Sequence, residues 1–211
     1  MEMSLSKLNL KIIKIVNTKL LHEISNLLCG IKISTEYIEE ELKINRNYVK
    51  ILSDSTKNLI SKVEFFKIMY VYDLNHLYNY IFLKDILERF FTQIVFKFRI
   101  KNQELFSGIY FKLLLCLVSI MCEKISNEGM VVIKNRKNVT QINFYIDNII
   151  LNDTKKLILN TRYNIPNLDG ILDPINANEI YARILLENLG LYLSIDEKIN
   201  KKEIVFKIEK N

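Results

Sequence analysis

The sequence is poor in the residues that break regular structure, with 2 prolines and 5 glycines among 211 residues. With 49% hydrophobic residues, that scarcity excludes a disordered chain, a collagen-like repeat and a loop-dominated all-β fold. Cysteine is also sparse. Cys29, Cys116 and Cys122 form no C-x-x-C, and only two histidines accompany them, so neither a disulfide framework nor a structural zinc site is expected. Tryptophan is absent. The longest apolar stretch, Leu113–Cys122, is interrupted by Ser119 and falls short of the roughly 20 residues a membrane span needs. Lys7, Lys11 and Lys14 stand at the start with no cleavage site after them, so no leader peptide is expected. These absences predict a soluble, cytoplasmic protein with free thiols, without nucleic-acid or membrane partners.

What is present is charge of both signs and long helical periodicity. Thirty basic and 24 acidic residues leave a formal net charge of +6 and a pI near 9.0. Residues 1–75 carry 11 basic and 9 acidic groups, so the excess is spread along the chain and does not gather in one segment. A nucleic-acid module usually concentrates it. The 11 tyrosines and 11 phenylalanines fall mostly at core spacing, which speaks against base stacking.

Residues 5–42 place Ile13, Leu20, Ile24, Leu27, Ile31, Ile38 and Leu42 on one side of a helix, at about 100° per residue. Asn45-Arg46-Asn47 reads as a turn. A second helical pattern follows through Val49, Leu52, Thr56, Leu59, Ile60, Val63, Phe66, Ile68 and Met69. Two long helices joined by a short polar link predict an antiparallel αα-hairpin. After Asp73 the pattern changes. Helices are expected at Leu83–Phe91, Gly108–Ile125, Asn152–Asn160 and Ala177–Leu189, the last ended by Gly190 in the left-handed conformation. Alternation predicts strands at Gln93–Ile100, Met130–Lys134, Val139–Asp147, Leu191–Ile195 and Glu203–Ile208. Pro166–Pro174 reads as a loop. The expectation is an α+β protein: a helical hairpin over residues 1–76, then an α/β sandwich over 77–211.

One residue stands out chemically. His22 falls inside the first helix on the face away from Leu20, Ile24, Leu27 and Ile31, with Thr18, Lys19, Ser25, Asn26 and Cys29 around it. An exposed neutral imidazole on a rigid helix offers a nucleophilic nitrogen near pH 7. Phosphoryl transfer asks little more of an acceptor than position, because a partner can bring the metal and the stabilising charges. Small polar neighbours let a second protein dock closely, and Glu23 could orient the ring. An ordinary surface histidine is the competing reading of the same residues. His76, near Asp73 and Asn75, reads as a solvated side chain, and Glu39-Glu40-Glu41 as a solvated face.

The sequence resembles a family over most of its length. His22-Glu-Ile-Ser-Asn-Leu-Leu-Cys-Gly-Ile31 is similar to the His-Asp-Leu-x-x-Pro-x-Gly-Ala-Ile box of ChpT-type histidine phosphotransferases, which serve the CckA–ChpT–CtrA phosphorelay of alphaproteobacteria. Ile51–Phe66 resembles the family's second helix. Lys112-Leu-Leu-Leu-Cys-Leu-Val118 through Asn127-Glu-Gly129 resembles its next helix and turn, and Tyr181-Ala-Arg-Ile-Leu-Leu-Glu-Asn-Leu-Gly190 its closing helix. The departures are Glu23 for Asp, Leu27 for Pro, Cys29-Gly30 for Gly-Ala, and Cys116 where Asn is common. The resemblance implies a homodimer whose paired hairpins form a four-helix bundle, with a degenerate kinase-ATPase domain of the Bergerat type behind each hairpin.

ATP chemistry on that fold asks for a Mg²⁺-binding Asn, an Asp-x-Gly-x-Gly turn and glycine-rich phosphate loops. Asp169-Gly170 supplies one Asp-Gly with no second glycine in step, and reads as a plain turn. No ATP, metal or other cofactor is therefore expected on this chain, and Mg²⁺ would come with the partner. The expected function is a phosphorelay intermediate. His22 takes a phosphoryl group from the receiver domain of a hybrid histidine kinase and hands it to response regulators. An ATP-using small histidine kinase and a basic interaction module are the alternatives.

Overall fold

In the computed structural model, the described residues are 16, 19–20, 23–24, 26–31, 33–34, 37, 46–71, 76–100, 104–123, 128–136, 139–145, 151–160 and 173–210. The chain divides into two compact units, Met1–Val71 and Tyr72–Asn211.

The first unit is helical. All described residues between 16 and 37 are helical and are called α1; α2 is Arg46–Phe66, continued by a π-helical turn, Lys67–Val71. The expected turn at 45–47 is corrected at two of its residues: Arg46 and Asn47 already belong to α2, Arg being a good helix former. Two contacts fix the pairing of the helices. The Glu23 carboxylate accepts from the Lys62 ammonium, and a β-carbon on Gly30 would lie 3.6 Å from Ser55 Oγ. Going from 23 to 30 on α1 is matched by going from 62 to 55 on α2, so the helices are antiparallel.

The second unit is a mixed sheet with helices. In chain order it contains β1 (Leu77–Asn79), α3 (Tyr80–Phe90), β2 (Ile94–Arg99), β3 (Leu105–Ser107), α4 (Gly108–Cys122), β4 (Gly129–Arg136), β5 (Val139–Tyr145), α5 (Asp153–Leu159), α6 (Ala177–Leu189), β6 (Leu191–Lys198) and β7 (Glu203–Lys210). The main sheet has the order β2-β4-β5-β7-β6, parallel only between β2 and β4; β1 and β3 form a separate antiparallel ribbon. That ribbon was not expected, because three residues per strand are too few to show alternation.

Polar caps set the helix starts. The side chains of Asn79, Ser107 and Asn152 accept from the backbone N–H three residues on, at 2.8, 3.4 and 2.9 Å. Gly190 ends α6 at φ 61°, where its N–H returns to the Glu187 carbonyl. Pro174 corrects the loop expected there: Asp173 caps a short 3₁₀ turn, Pro174–Asn176, with Oδ1 on the Ile175 N–H at 2.9 Å. The strands at the end run past their expected limits, to Lys198 and Lys210.

Register sorts the sheet into two faces. Ile94, Phe96, Val131, Ile133, Ile142, Phe144, Ile204, Phe206, Ile208 and Leu193 share one face and are all buried. Phe144 and Phe206 meet edge to face, with centroids 5.1 Å apart. The other face is mainly polar. At its centre Asn143 Nδ2 donates to Glu203 Oε1 at 2.5 Å, and Lys198 Nζ donates to Oε2 at 3.3 Å.

Burial pushes the Glu203 carboxyl up, but hydrogen bonds from Asn143, Tyr145 and Lys198 outweigh it and leave the pKa below its usual 4.5. A depressed folded-state pKa stabilises the fold above the unfolded-state value, and that contribution is lost as pH falls through the folded value. Glu203→Gln should therefore lower thermal stability at pH 7 and flatten its loss between about pH 5 and 3. Melting curves across that range check both effects.

Candidate functional site

Of the residues that sequence reasoning brought to the first helix, His22, Thr18 and Ser25 lie outside the described residues. Lys19 and Glu23 are half-buried, while Asn26 and Cys29 are exposed. The apolar stripe of Leu20, Ile24, Leu27 and Ile31 is half-buried throughout. Ser34 is buried and its hydroxyl donates back to the Gly30 carbonyl at 2.9 Å, so its polar group is satisfied within the turn.

The structure adds Lys62, which no local pattern indicated. Its ammonium reaches the Glu23 carboxylate from 39 residues away in sequence. Both side chains are more than a third exposed, so the pair adds little stability. Its consequence is positional: the carboxylate beside position 22 is held toward α2. The only signal for this in the sequence is the hairpin register, which needs both helices at once.

Helix α4 has 13 of its 15 residues buried, and it packs directly on α6. Cys116 Sγ donates to the Asn178 carbonyl at 3.1 Å, and Asn178 Nδ2 lies 3.3 Å from Glu123 Oε1. Burial, followed by the nearby Glu123 charge, holds the Cys122 thiol far above its ordinary range, so it is an unreactive packed thiol. Burial likewise raises the Tyr181 hydroxyl. Arg183 is structural: Nη1 donates to the carbonyls of Ile158 and Asn160 at 3.2 and 3.3 Å, and Nε to Glu187 at 2.7 Å. With the Lys155–Glu179 ion pair it fastens α5 to α6. Asp169 and Gly170 lie outside the described residues. His76 is exposed, with its ring 4.8 Å from that of Tyr78. Among the described residues no group of three His, Cys, Asp or Glu side chains could hold a metal ion, and no helix is long and apolar enough to cross a membrane.

No family model matches the chain, and no curated protein matches it. Solved structures do. A bacterial phosphotransferase superposes with a TM-score of 0.78 at 17% identity, covering 99% of this chain and 98% of its own. The fold is shared with that phosphotransferase. The histidine kinase AdeS of Acinetobacter baumannii superposes at 0.54 and 13% identity, over 90% of this chain and 97% of its own. The histidine kinase ThkA, solved in complex with the response regulator protein TrrA, superposes at 0.55 and 16% identity, over 97% of this chain and 64% of its own. The architecture is therefore α+β, with a sheet of the histidine-kinase ATPase type, as the resemblance to ChpT-type phosphotransferases implied.

Proposed function

We propose that the chain works in two-component signalling as a phosphoryl carrier, with His22 as its phosphoacceptor. The observation that carries this reading is the likeness to a bacterial phosphotransferase over nearly the whole of both chains, hairpin and sandwich together. In the proposed step an imidazole nitrogen of His22 attacks the phosphorus of an aspartyl phosphate on a receiver domain. The N–P bond forms as the P–O bond to the aspartate breaks, the carboxylate leaves, and the ring's other nitrogen retains its proton. Transfer to a response regulator is the reverse step on a second receiver. Mg²⁺ is assigned to the receiver's acidic pocket, Glu23 to orientation of the ring, and Thr18, Lys19, Ser25, Asn26 and Cys29 to the docking collar. A response regulator as partner is supported by the fold shared with ThkA, which was solved bound to one.

The kinase alternative is disfavoured by the glycine content, since Asp169-Gly170 has no second glycine in step for an adenine-binding turn. Incubation with a phosphorylated receiver should label wild type with acid-labile, base-stable phosphate. His22→Ala should reduce that label at least 100-fold with an unchanged circular dichroism spectrum. Labelling by radiolabelled ATP without a receiver would instead establish the kinase.

The exposed Cys29 thiol tests the collar. Two turns from position 22, an indole should hold a receiver's aspartate beyond in-line reach. Cys29→Trp should cut receiver-driven transfer at least tenfold while phosphoramidate still labels the protein at the wild-type rate.

The hairpin also leaves apolar surface uncovered. Leu28, Ile33, Tyr37, Ile51 and Ile60 are each about half-exposed. Full burial of such a side chain stabilises by roughly 1.5–3 kcal/mol, and a second hairpin would supply the cover. Light scattering should give twice the chain mass of 25.0 kDa, and Leu28→Glu with Ile60→Glu should return it to that mass.

A further inference from the structure

The polar face of the sheet gathers charge that the sequence disperses. Strands β2, β4 and β5 contain no aspartate or glutamate, yet they carry Lys97, Arg99, Lys134 and Arg136. All four point to the face opposite the buried Phe96, Ile133 and Ile142. Arg99, Lys134, Gln141 and Lys207 are successive partners across four strands, so one row of the sheet presents three cations and an amide. Neighbouring strands lie about 5 Å apart, and like charges directly opposite each other destabilise a sheet.

Elsewhere in this unit cations sit beside carboxylates: Lys84 by Glu88, Lys155 by Glu179, Lys156 by Glu197, Arg183 by Glu187 and Lys198 by Glu203. Among the described residues Arg99, Lys134 and Arg136 have no such ion pair. On this face Glu203 is engaged by Asn143 and Lys198, and Glu209 is separated from Arg136 by the whole of β5, with Val139 between them.

Arg99, Lys134, Arg136, Val139 and Gln141 line a concavity of about 320 Å³. The chemistry of this lining is selective. Among the described residues its lining has no carboxylate to hold a metal cation and no aromatic side chain to serve as a platform for a nucleobase. Two guanidinium forks match the oxygens of a phosphate, and Lys134 adds a point charge. Gln141 donates one amide hydrogen to Asn143 at 2.9 Å and keeps the second. We propose that this concavity binds the phosphate groups of a small di- or triphosphate, a site on the opposite face of the sheet from α4 and α6 and independent of phosphoryl transfer at His22.

Isothermal titration of the full chain with sodium pyrophosphate at low ionic strength tests it. Wild type should bind, with affinity falling as salt rises. Arg99→Gln with Arg136→Gln should weaken binding at least tenfold, and Lys57→Gln on α2 should leave it unchanged. Equal affinity in wild type and the double variant overturns the proposal. So does binding of a twelve-nucleotide oligothymidylate, lost in the double variant, by a wild type that ignores pyrophosphate; that result makes the face a nucleic-acid surface. Should the double variant misfold, acylation of wild-type lysines decides. Pyrophosphate should protect Lys134 at least threefold relative to Lys57, and unchanged labelling of Lys134 overturns the site.

Discussion

The sandwich depends on one constraint, that α4 has no side it can show to water. An ordinary helix of a globular protein keeps a polar face. Here Phe111, Leu113, Leu114, Leu115, Leu117, Val118, Ile120 and Met121 go all the way round, and each is essentially inaccessible. Such a helix has to be enclosed on every side. The apolar face of the sheet, α6 and α3 provide the enclosure, and the small β1–β3 ribbon closes the end at Ser107. Even the polar side chains on α4 are internalised: Ser119 donates to the Cys116 carbonyl at 2.9 Å, and Cys116 itself turns its thiol to α6. Close packing of this kind transmits any loss of volume as lost stability. It also leaves the α4–α6 contact filled by protein atoms.

The hairpin obeys the opposite arrangement. The α1 stripe of Leu20, Ile24, Leu27 and Ile31 is only half-buried, and large apolar side chains on both helices remain about half-exposed. Two helices can cover one stripe each. Ile51 and Ile60 lie on opposite sides of α2, half a turn apart by helical geometry, so one partner helix cannot cover both. The spacing of the two cross-contacts, seven residues on each helix, is the repeat of a left-handed bundle. Local sequence and packing thus agree that two helices leave apolar surface of this unit uncovered.

Much of this was legible in the sequence, and the reason differs from element to element. Gly108–Cys122 could be read because an apolar run of that length, broken only at Lys112 and Ser119, has few alternatives, and Gly190 because a glycine after the last periodic residue marks a left-handed cap. The alternating strands β2 and β5 were read from period two. The ribbon strands were not, since Leu77–Asn79 and Leu105–Ser107 are too short to have a period. Helix α2 began earlier than the Asn-rich stretch suggested, because a turn signal is a local tendency that tertiary packing overrides. Lys62 was illegible for a further reason. A salt bridge between residues 39 apart depends on helix register, and no window of the sequence contains both partners.

The same limitation explains why charge counting misjudged the basic residues. Summed along the chain, the positive excess looks uniform. A sheet does not respect that order: β2 and β4 are parallel neighbours although Arg99 and Lys134 are 35 positions apart in the chain. Alternation then sends every second residue to one face, so Lys97 and Arg99 on one strand and Lys134 and Arg136 on the next gather side by side. The intervening Phe98 and Asn135 face the other way. Apolar alternation builds the buried face, and the residues left over build the charged one. Whatever ligand the charged face meets, its composition is set by the same period of two that encloses α4.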